Sequence, residues 1–472
     1  MTAPVASLLA AVDAAGAKHL ATLPAGERRR HGVFYTPADL AAQLVDAAFA
    51  EVPAGRPLSA CEPACGAGAF AVPLAQALRE RPGSELTLAD RDPSAVEIAR
   101  GLAEQVGGVR VRAVVGDALA DAAPAVWRRH DIVAGNPPFA AAPRGLPLPA
   151  RNLAAGFLAR AVESLAPDGV LCFVLPRPLA YIARWRPVRD LLWREGRIEQ
   201  VVEIHRTIDV GMEQIGLVFR RAPAAIGHVV RVRAAGPTGL VPRHEVPAIL
   251  SRGPTLAVSM DRLARRVVAA VERRSVPLAS AHPRVFRGLI VQRHLSPARN
   301  GESRWIGRRE IDHYAFTGEP RTLPEGVARA VAERAGRQEG VKILAQRRVS
   351  RKVHPHHLVT RAALDLAGDL RAVDTALVVR IEDEAARWLA LLVLNSALGA
   401  YFLEKVAFDG NTRTTPDLDR EYLLRLFLPD VRGEPLTRMI DAARRGDRPR
   451  GDQLLGEHFD LPPDLLRRAG GG

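Results

Sequence analysis

Three cysteines in 472 residues, Cys61, Cys65 and Cys172, are too few for a disulfide framework, so a reducing, intracellular setting is expected. Lysine is scarcer than its charge class suggests: only Lys18, Lys342, Lys352 and Lys405 occur, and none has an acid two positions before it. That excludes the common acid-x-Lys arrangement of nucleases. No long hydrophobic run is present. The longest, "WLALLVLNSALGAYF", is too short to span a bilayer and is interrupted by Asn395. The N-terminal apolar stretch carries Asp13 and lacks a basic start, so it is not expected to be a secretory leader. No internal repeat, low-complexity tract or G-x-x-x-x-G-K-[ST] phosphate loop is found. A cytoplasmic protein is expected, with no membrane partner.

What remains is an ordinary globular composition, 47% hydrophobic and 25% charged. At roughly 150 residues per domain, two or three domains fit. The net charge is +14, carried almost wholly by arginine. A GC-rich genome explains arginine over lysine but not the excess of bases over acids, so a polyanion is the expected partner class.

From Leu58 to about Arg221 short apolar segments ("LSAC", "LTLA", "VRAVV", "DIVA", "VLCFVLP", "EQVVEI", "IGLVFR") alternate with amphipathic stretches such as "FAVPLAQALRE" and "PSAVEIARGLAEQ". This predicts βαβ units around a mostly parallel sheet, the last two strands pairing antiparallel at its edge. The predicted organisation is a helical segment over 1–30, an α/β domain over 31–224, a linker with a basic connecting helix over 225–275, a mixed α/β domain over 276–460, and a loosely ordered tail over 461–472.

"LSACEPACGAGAF" sets a glycine turn between the first strand and a helix. Gly66 and Gly68 allow close backbone approach to a ligand, and the helix offers its N-terminal N–H groups. The second strand ends in Asp90, where nucleotide-binding folds place an acid for ribose hydroxyls, and the third is followed by Asp117. Either aspartate alone could be a plain cap. In this order, at the carboxyl ends of successive strands, they point to a nucleoside ligand. With Glu62 nearby and no phosphate loop, a cationic nucleoside without phosphate fits, and S-adenosylmethionine is such a molecule.

The fourth strand closes in "DIVAGNPPF". Prolines lack an N–H and stiffen their neighbours, so Asn136-Pro137-Pro138 forms an arch presenting the Asn amide oxygen and backbone carbonyls. Such a site accepts two hydrogen bonds from an exocyclic amino group. Those bonds favour a pyramidal nitrogen and localise its lone pair, which strengthens toward the transition state. Phe139 supplies a face on which an extruded base could stack.

In their order, "GVFYTP", "CEPACGAGAF", "LADRDP", "VVGDAL" and "DIVAGNPPF" resemble the motifs of N6-adenine DNA methyltransferases of the γ arrangement, similar to the methyltransferase and target-recognition parts of type II restriction–modification enzymes. The resemblance implies a Rossmann-like class I S-adenosylmethionine-dependent sheet with an antiparallel edge strand, followed by a C-terminal mixed α/β target-recognition domain. By it, Tyr35, Thr36 and Pro37 would meet the methionine end of the cofactor. Glu62, Gly66 and Gly68 would line its amino-acid and ribose portions, Asp90 would take the ribose hydroxyls and Asp117 the adenine. Asn136, Pro137, Pro138 and Phe139 would bind and stack a flipped adenine in double-stranded DNA. One departure stands out: where the family places a second base-stacking aromatic, this chain has "EIHRTIDVGMEQIGLVF", with His205 and Met212 but no ring at the expected place.

"VPLASAHPRVFRGLIVQRH" and "LALLVLNSALGAYF" resemble the start and end of target-recognition domains. The basic residues Arg287, Arg293, Arg347, Arg348, Arg351 and Lys352 are the candidate DNA contacts, with a solvated basic loop as the plain alternative for the "QRRVSRKVHPHH" cluster. Its histidines lack cysteine or acid companions, so no metal is expected. Methylation without cleavage is the resulting expectation, in a restriction–modification or related defence system with a separately encoded endonuclease as a conceivable partner. The alternatives are a methyltransferase for RNA adenine or protein glutamine, and a non-catalytic DNA-binding subunit.

Overall fold

The computed structural model describes residues 5–22, 36–120, 125–142, 151–204, 213–297, 303–353, 356–410 and 417–462. The chain divides into two compact units, Met1–Val258 and Ser259–Gly472.

The first unit is built on a nine-stranded sheet in the order β3-β2-β1-β4-β5-β7-β6-β8-β9. The strands are β1 (Ser59–Glu62), β2 (Glu85–Asp90), β3 (Arg110–Val115), β4 (His130–Gly135), β5 (Leu165–Pro176), β6 (Arg197–Ile204), β7 (Gln214–Arg220), β8 (Val229–Ala235) and β9 (Leu240–Pro247). β1 to β5 run parallel, while β7 lies antiparallel between β5 and β6. The helices are α1 (Val5–Thr22), α2 (Ala38–Phe49), α3 (Ala71–Arg79), α4 (Pro93–Glu104), α5 (Leu153–Ser164) and α6 (Arg186–Glu195).

Local chemistry explains the boundaries. Asp92 caps α4 by accepting from Ser94 N at 2.9 Å, with Pro93 in the first turn where its missing N–H is harmless. Ala95, Val96, Ala99 and Ala103 form its buried stripe, at the spacing of one helical face. Asn152 caps α5 through Ala154 N, and Asp13 of α1 accepts from Ala38 N at the start of α2. The central strands β1, β2, β4 and β5 are nearly continuous apolar runs buried on both faces.

The sheet continues past the edge expected from the sequence. Residues 225–275 were predicted as a linker with a helix, yet β8 pairs parallel to β6 and β9 pairs antiparallel to β8. β8 buries alternate residues, Val230, Val232 and Ala234, and its Pro/Gly-rich sequel is a hairpin turn closed by Gly236 N donating to Gly239 O at 3.1 Å. β6 and β7 are therefore interior strands. The basic helix does form, as α7 (Arg262–Arg273) in the second unit, capped by Asp261 and burying Val267, Val268 and Val271.

The second unit holds an antiparallel sheet ordered Arg284–Arg287, Ala376–Arg380, Lys342–Gln346, Ala362–Asp365. A smaller four-stranded sheet and a hairpin, Ser350–Val353 with His356–Val359, accompany it. Helix α8 (Glu384–Asn395) ends in a fully buried asparagine. Asn395 Oδ1 accepts from Ala362 N at 3.0 Å and its Nδ2 donates to Ala362 O at 2.9 Å, so the amide fastens the helix end to a strand edge. Among the described residues no single helix is long and apolar enough to cross a membrane; Glu384–Asn395 and Ala397–Ala407 pass that test only together, bent by 73°.

Candidate active site

In the first unit the strand order reverses between β1 and β4, since β2 and β3 lie to one side and β5 to the other. Loops leaving the carboxyl ends diverge at such a point and open a crevice. Glu62 ends β1, Asp90 ends β2, Asp117 follows β3 and Asn136 follows β4.

The two glycines of the turn after β1 have different tasks. Gly68, at φ +92°, packs so closely on α4 that an added Cβ would stand 3.0 Å from Ala99 Cα. Gly66, at φ +47°, faces open space: an added Cβ would meet nothing within 4 Å. The turn is tied to the neighbouring strand by Cys65 N donating to Ala89 O at 2.9 Å and by Gly66 N donating to Asp90 Oδ2 at 2.9 Å. Asp90 Oδ1 accepts from Asp92 N at 3.1 Å. Asp90 is thus a brace for the glycine turn, with a second lone pair on each oxygen still available to hydroxyl groups. Asp117 is exposed and accepts from Leu119 N at 2.8 Å, which turns the chain after β3.

Glu62 is the most constrained group of the site. It is 1% exposed, and its Oε2 has no hydrogen-bond partner among the described residues. Burial pushes its carboxyl well above the usual range, and the negative charge of Asp90 adds to this, while a hydrogen bond from the Phe70 backbone opposes it. Gly135, at the end of β4, lies against it: a Cβ there would be 3.5 Å from Glu62 Cγ.

Across the crevice, Asn136 Nδ2 donates to Thr36 Oγ1 at 2.9 Å. Asn136 Oδ1 is buried with no partner among the described residues, and Thr36 is 3% exposed. Pro37 leads into α2, Pro137 is buried and Pro138 half-buried. Phe139 is 8% exposed, and its carbonyl accepts from Asn152 Nδ2 at 2.8 Å, which anchors the arch to the start of α5. The structure therefore gathers Thr36, Glu62, Gly66, Gly68, Asp90 and Asn136 at one edge of the sheet. Tyr35, His205 and Met212 lie outside the described residues.

A residue not singled out in the sequence joins this edge. Gln214 opens β7 opposite Pro176, three residues beyond the partner of Gly135 on β5, and both of its amide atoms are buried without a partner among the described residues. Nothing in "MEQIGLVF" marks this glutamine, because the strand pairing alone brings it level with the crevice.

The candidate DNA contacts belong to the second unit. Arg287 pairs with Asp374 at 2.5 Å, Arg347 with Asp417 at 2.8 Å and Asp419 at 3.3 Å, and Arg348 with Asp417 at 3.4 Å. Arg293 is exposed. The side chains of Arg351 and Lys352 lie outside the described residues, although their backbone forms the Ser350–Val353 strand. The same unit contains a cleft of about 680 Å³ lined by Arg308, Arg309, Arg321 and Arg361, with Glu310 and Asp312 holding Arg321 and Arg361 at 3.3 and 3.0 Å. Among the described residues no group of histidines, cysteines or acids could hold a metal ion.

Residues 29–192 match the family model described as methyltransferase small domain. No curated protein matches the chain. Among solved structures, the type IIL restriction–modification enzyme MmeI, solved in complex with DNA, is similar over 96% of this chain and 77% of its own, at 13% identity and a TM-score of 0.58. The type IIG restriction endonuclease BpuSI is similar over 92% of this chain and 67% of its own, at 13% identity and a TM-score of 0.46. A type I restriction–modification methyltransferase subunit from Streptococcus thermophilus is similar over 48% of this chain and 57% of its own, at 19% identity and a TM-score of 0.38. The first unit has the α/β fold of class I S-adenosylmethionine-dependent methyltransferases, and S-adenosylmethionine is the cofactor this domain implies. The residues present fit that molecule: an unmatched buried carboxylate oxygen for a cation, an open glycine turn, and an acid at the end of β2.

Proposed function

We propose that this methyltransferase is a site-specific DNA adenine-N6 methyltransferase acting on a flipped-out base, within a restriction–modification or related defence system. The observation that carries the reading is Asn136, whose amide nitrogen is spoken for by Thr36 while its buried oxygen awaits a donor. A buried acceptor without a partner is costly, and an exocyclic amino group satisfies it.

S-adenosylmethionine supplies an electrophilic methyl group on a sulfonium. Around it, Glu62 would pair with the ammonium of the amino-acid end, with Pro37 and Tyr35 beside that end. Gly66 and Gly68 would let the backbone approach, Asp90 would accept from the ribose hydroxyls and Asp117 from the adenine amino group. Asn136 Oδ1 and the carbonyls of the Pro137-Pro138 arch would accept from the two hydrogens of the target amine, aiming its lone pair at the methyl carbon. Phe139 would stack on the base, a role that asks its covered ring to gain exposure once DNA is bound.

DNA as the substrate is supported by the +14 charge and by a second unit rich in arginine, which we assign, over residues 276–460, to target recognition. The fold likeness to MmeI, a restriction–modification enzyme solved with DNA, agrees with it. A separately encoded endonuclease would be the natural partner.

The test is modification-sensitive long-read sequencing of DNA from a methylation-free bacterium expressing the chain, with Asn136→Ala as control. N6-methyladenine at one short motif, absent in the control, is expected. Methylation that persists in the control would sink the assignment of Asn136. No modified adenine in the wild type would turn the search to RNA or protein glutamine, whose planar amino groups suit the same acceptors.

A further inference from the structure

We infer that Thr36 is a positioning residue for Asn136, acting through the orientation of its amide rather than as a cofactor contact; this deepens the proposed function and rests on it. An asparagine amide has two faces of opposite hydrogen-bonding sense, and rotating it by half a turn exchanges an acceptor for a donor. For a substrate amine, which arrives with hydrogens to give, only the orientation with Oδ1 outward is productive. Thr36 Oγ1 receives Nδ2 at 2.9 Å, leaving Oδ1 as the unmatched atom. The hydroxyl holds the amide plane, and the incoming amine, a donor, selects the productive sense.

Thr36 is itself held. It is 3% exposed and immediately precedes Pro37, whose residue bias toward extended backbone limits Thr36's freedom. The helix that follows, α2, receives the Asp13 carboxylate at Ala38 N at 3.0 Å. A segment 100 residues earlier in the chain thereby fixes a rotamer on the β4 loop. Serine would preserve the contact, whereas valine would keep the shape and take from Nδ2 the acceptor it has in Thr36 Oγ1.

The experiment compares wild type, Thr36→Val and Thr36→Ser on duplex DNA carrying the methylated motif, with S-adenosylmethionine affinity measured by calorimetry and folding by thermal melting. Thr36→Val is expected to lower kcat roughly tenfold to a hundredfold, the effect of orphaning a buried donor. Its cofactor Kd should stay within about twofold, and Thr36→Ser should restore most of the rate. An undiminished kcat in Thr36→Val overturns the inference. So does a loss confined to cofactor affinity, which marks a direct contact, or a Thr36→Ser variant as slow as Thr36→Val, which marks packing. Should the wild type methylate no adenine, the proposed function fails on its own. The side-chain NH2 signals of Asn136 in asparagine-labelled protein then judge the contact: a shift in Thr36→Val but not in Thr36→Ser upholds it, and unchanged signals in both overturn it.

Discussion

Glu62 has one buried oxygen without a partner among the described residues, and burial raises its carboxyl well above the usual value. The sign of the consequence follows directly. In the unfolded chain the group loses its proton near pH 4.3, give or take a few tenths, whereas in the folded protein it keeps that proton to higher pH. Its stabilising contribution is therefore complete below the unfolded value and is lost as pH rises through the folded one. Thermal melts from pH 4.5 upward should show a decline in the wild type that is shallower in Glu62→Gln. Pairing with the cofactor's ammonium needs the anion, so S-adenosylmethionine affinity should rise with pH, with up to about one proton released on binding. Calorimetry in buffers of different ionisation enthalpy reads that proton, and Glu62→Gln should abolish it. The places of Glu62 and Asn136 at the ends of β1 and β4 were legible in the sequence, since a carboxylate before a glycine turn and an amide before two prolines each mark a strand end. The link from Thr36 to Asn136 was not, because no local pattern relates residues 100 positions apart. Gln214 was invisible for the same reason.

At the scale of elements, the glycine turn after β1 offers a comparison within one loop. Alanine at Gly68 meets both a strained φ of +92° and Ala99 Cα at 3.0 Å. Alanine at Gly66 meets only the φ of +47°. Gly68→Ala should cost about 2–4 kcal/mol in chemical denaturation and Gly66→Ala about 1 kcal/mol. Cofactor affinity should suffer in Gly66→Ala as well, since its new methyl would project into the open space. The seven strands from β1 to β7 were readable because their apolar runs are bounded by caps and turns. β8 and β9 were not. Half-buried strands alternate valine with arginine, as "VVRVRAA" does, and the Pro/Gly turn between them has the composition of a linker. Pairing to β6, which is a tertiary fact, decides between the two.

For the whole molecule, charge is the readable quantity and its deployment is not. The +14 balance predicts DNA affinity that falls steeply with salt, by about 10³–10⁵-fold between 50 and 200 mM if roughly six to ten phosphates are neutralised. Titrations at several salt concentrations measure the slope. Yet the arginines picked out for that task are not interchangeable. Arg347 is two-fold paired with Asp417 and Asp419, and Arg287 is held by Asp374, whereas Arg293 is exposed. Arg293→Ala should lower the salt slope by about one, and Arg347→Ala should instead lower thermal stability with a smaller change in slope. Ion pairing depends on which acids the fold brings near, and no count of residues along the chain contains that.

The outer strands of the first unit carry features that blunt a sheet edge. A sheet ending in unpaired N–H and C=O groups invites another chain to add itself. Here one rim is β3, where Arg110 and Arg112 alternate along the strand, and the other is β9, where Pro242 withholds an N–H and Arg243 and His244 follow it. Neither rim of the nine-stranded sheet is therefore a clean template for the edge-to-edge addition of another strand.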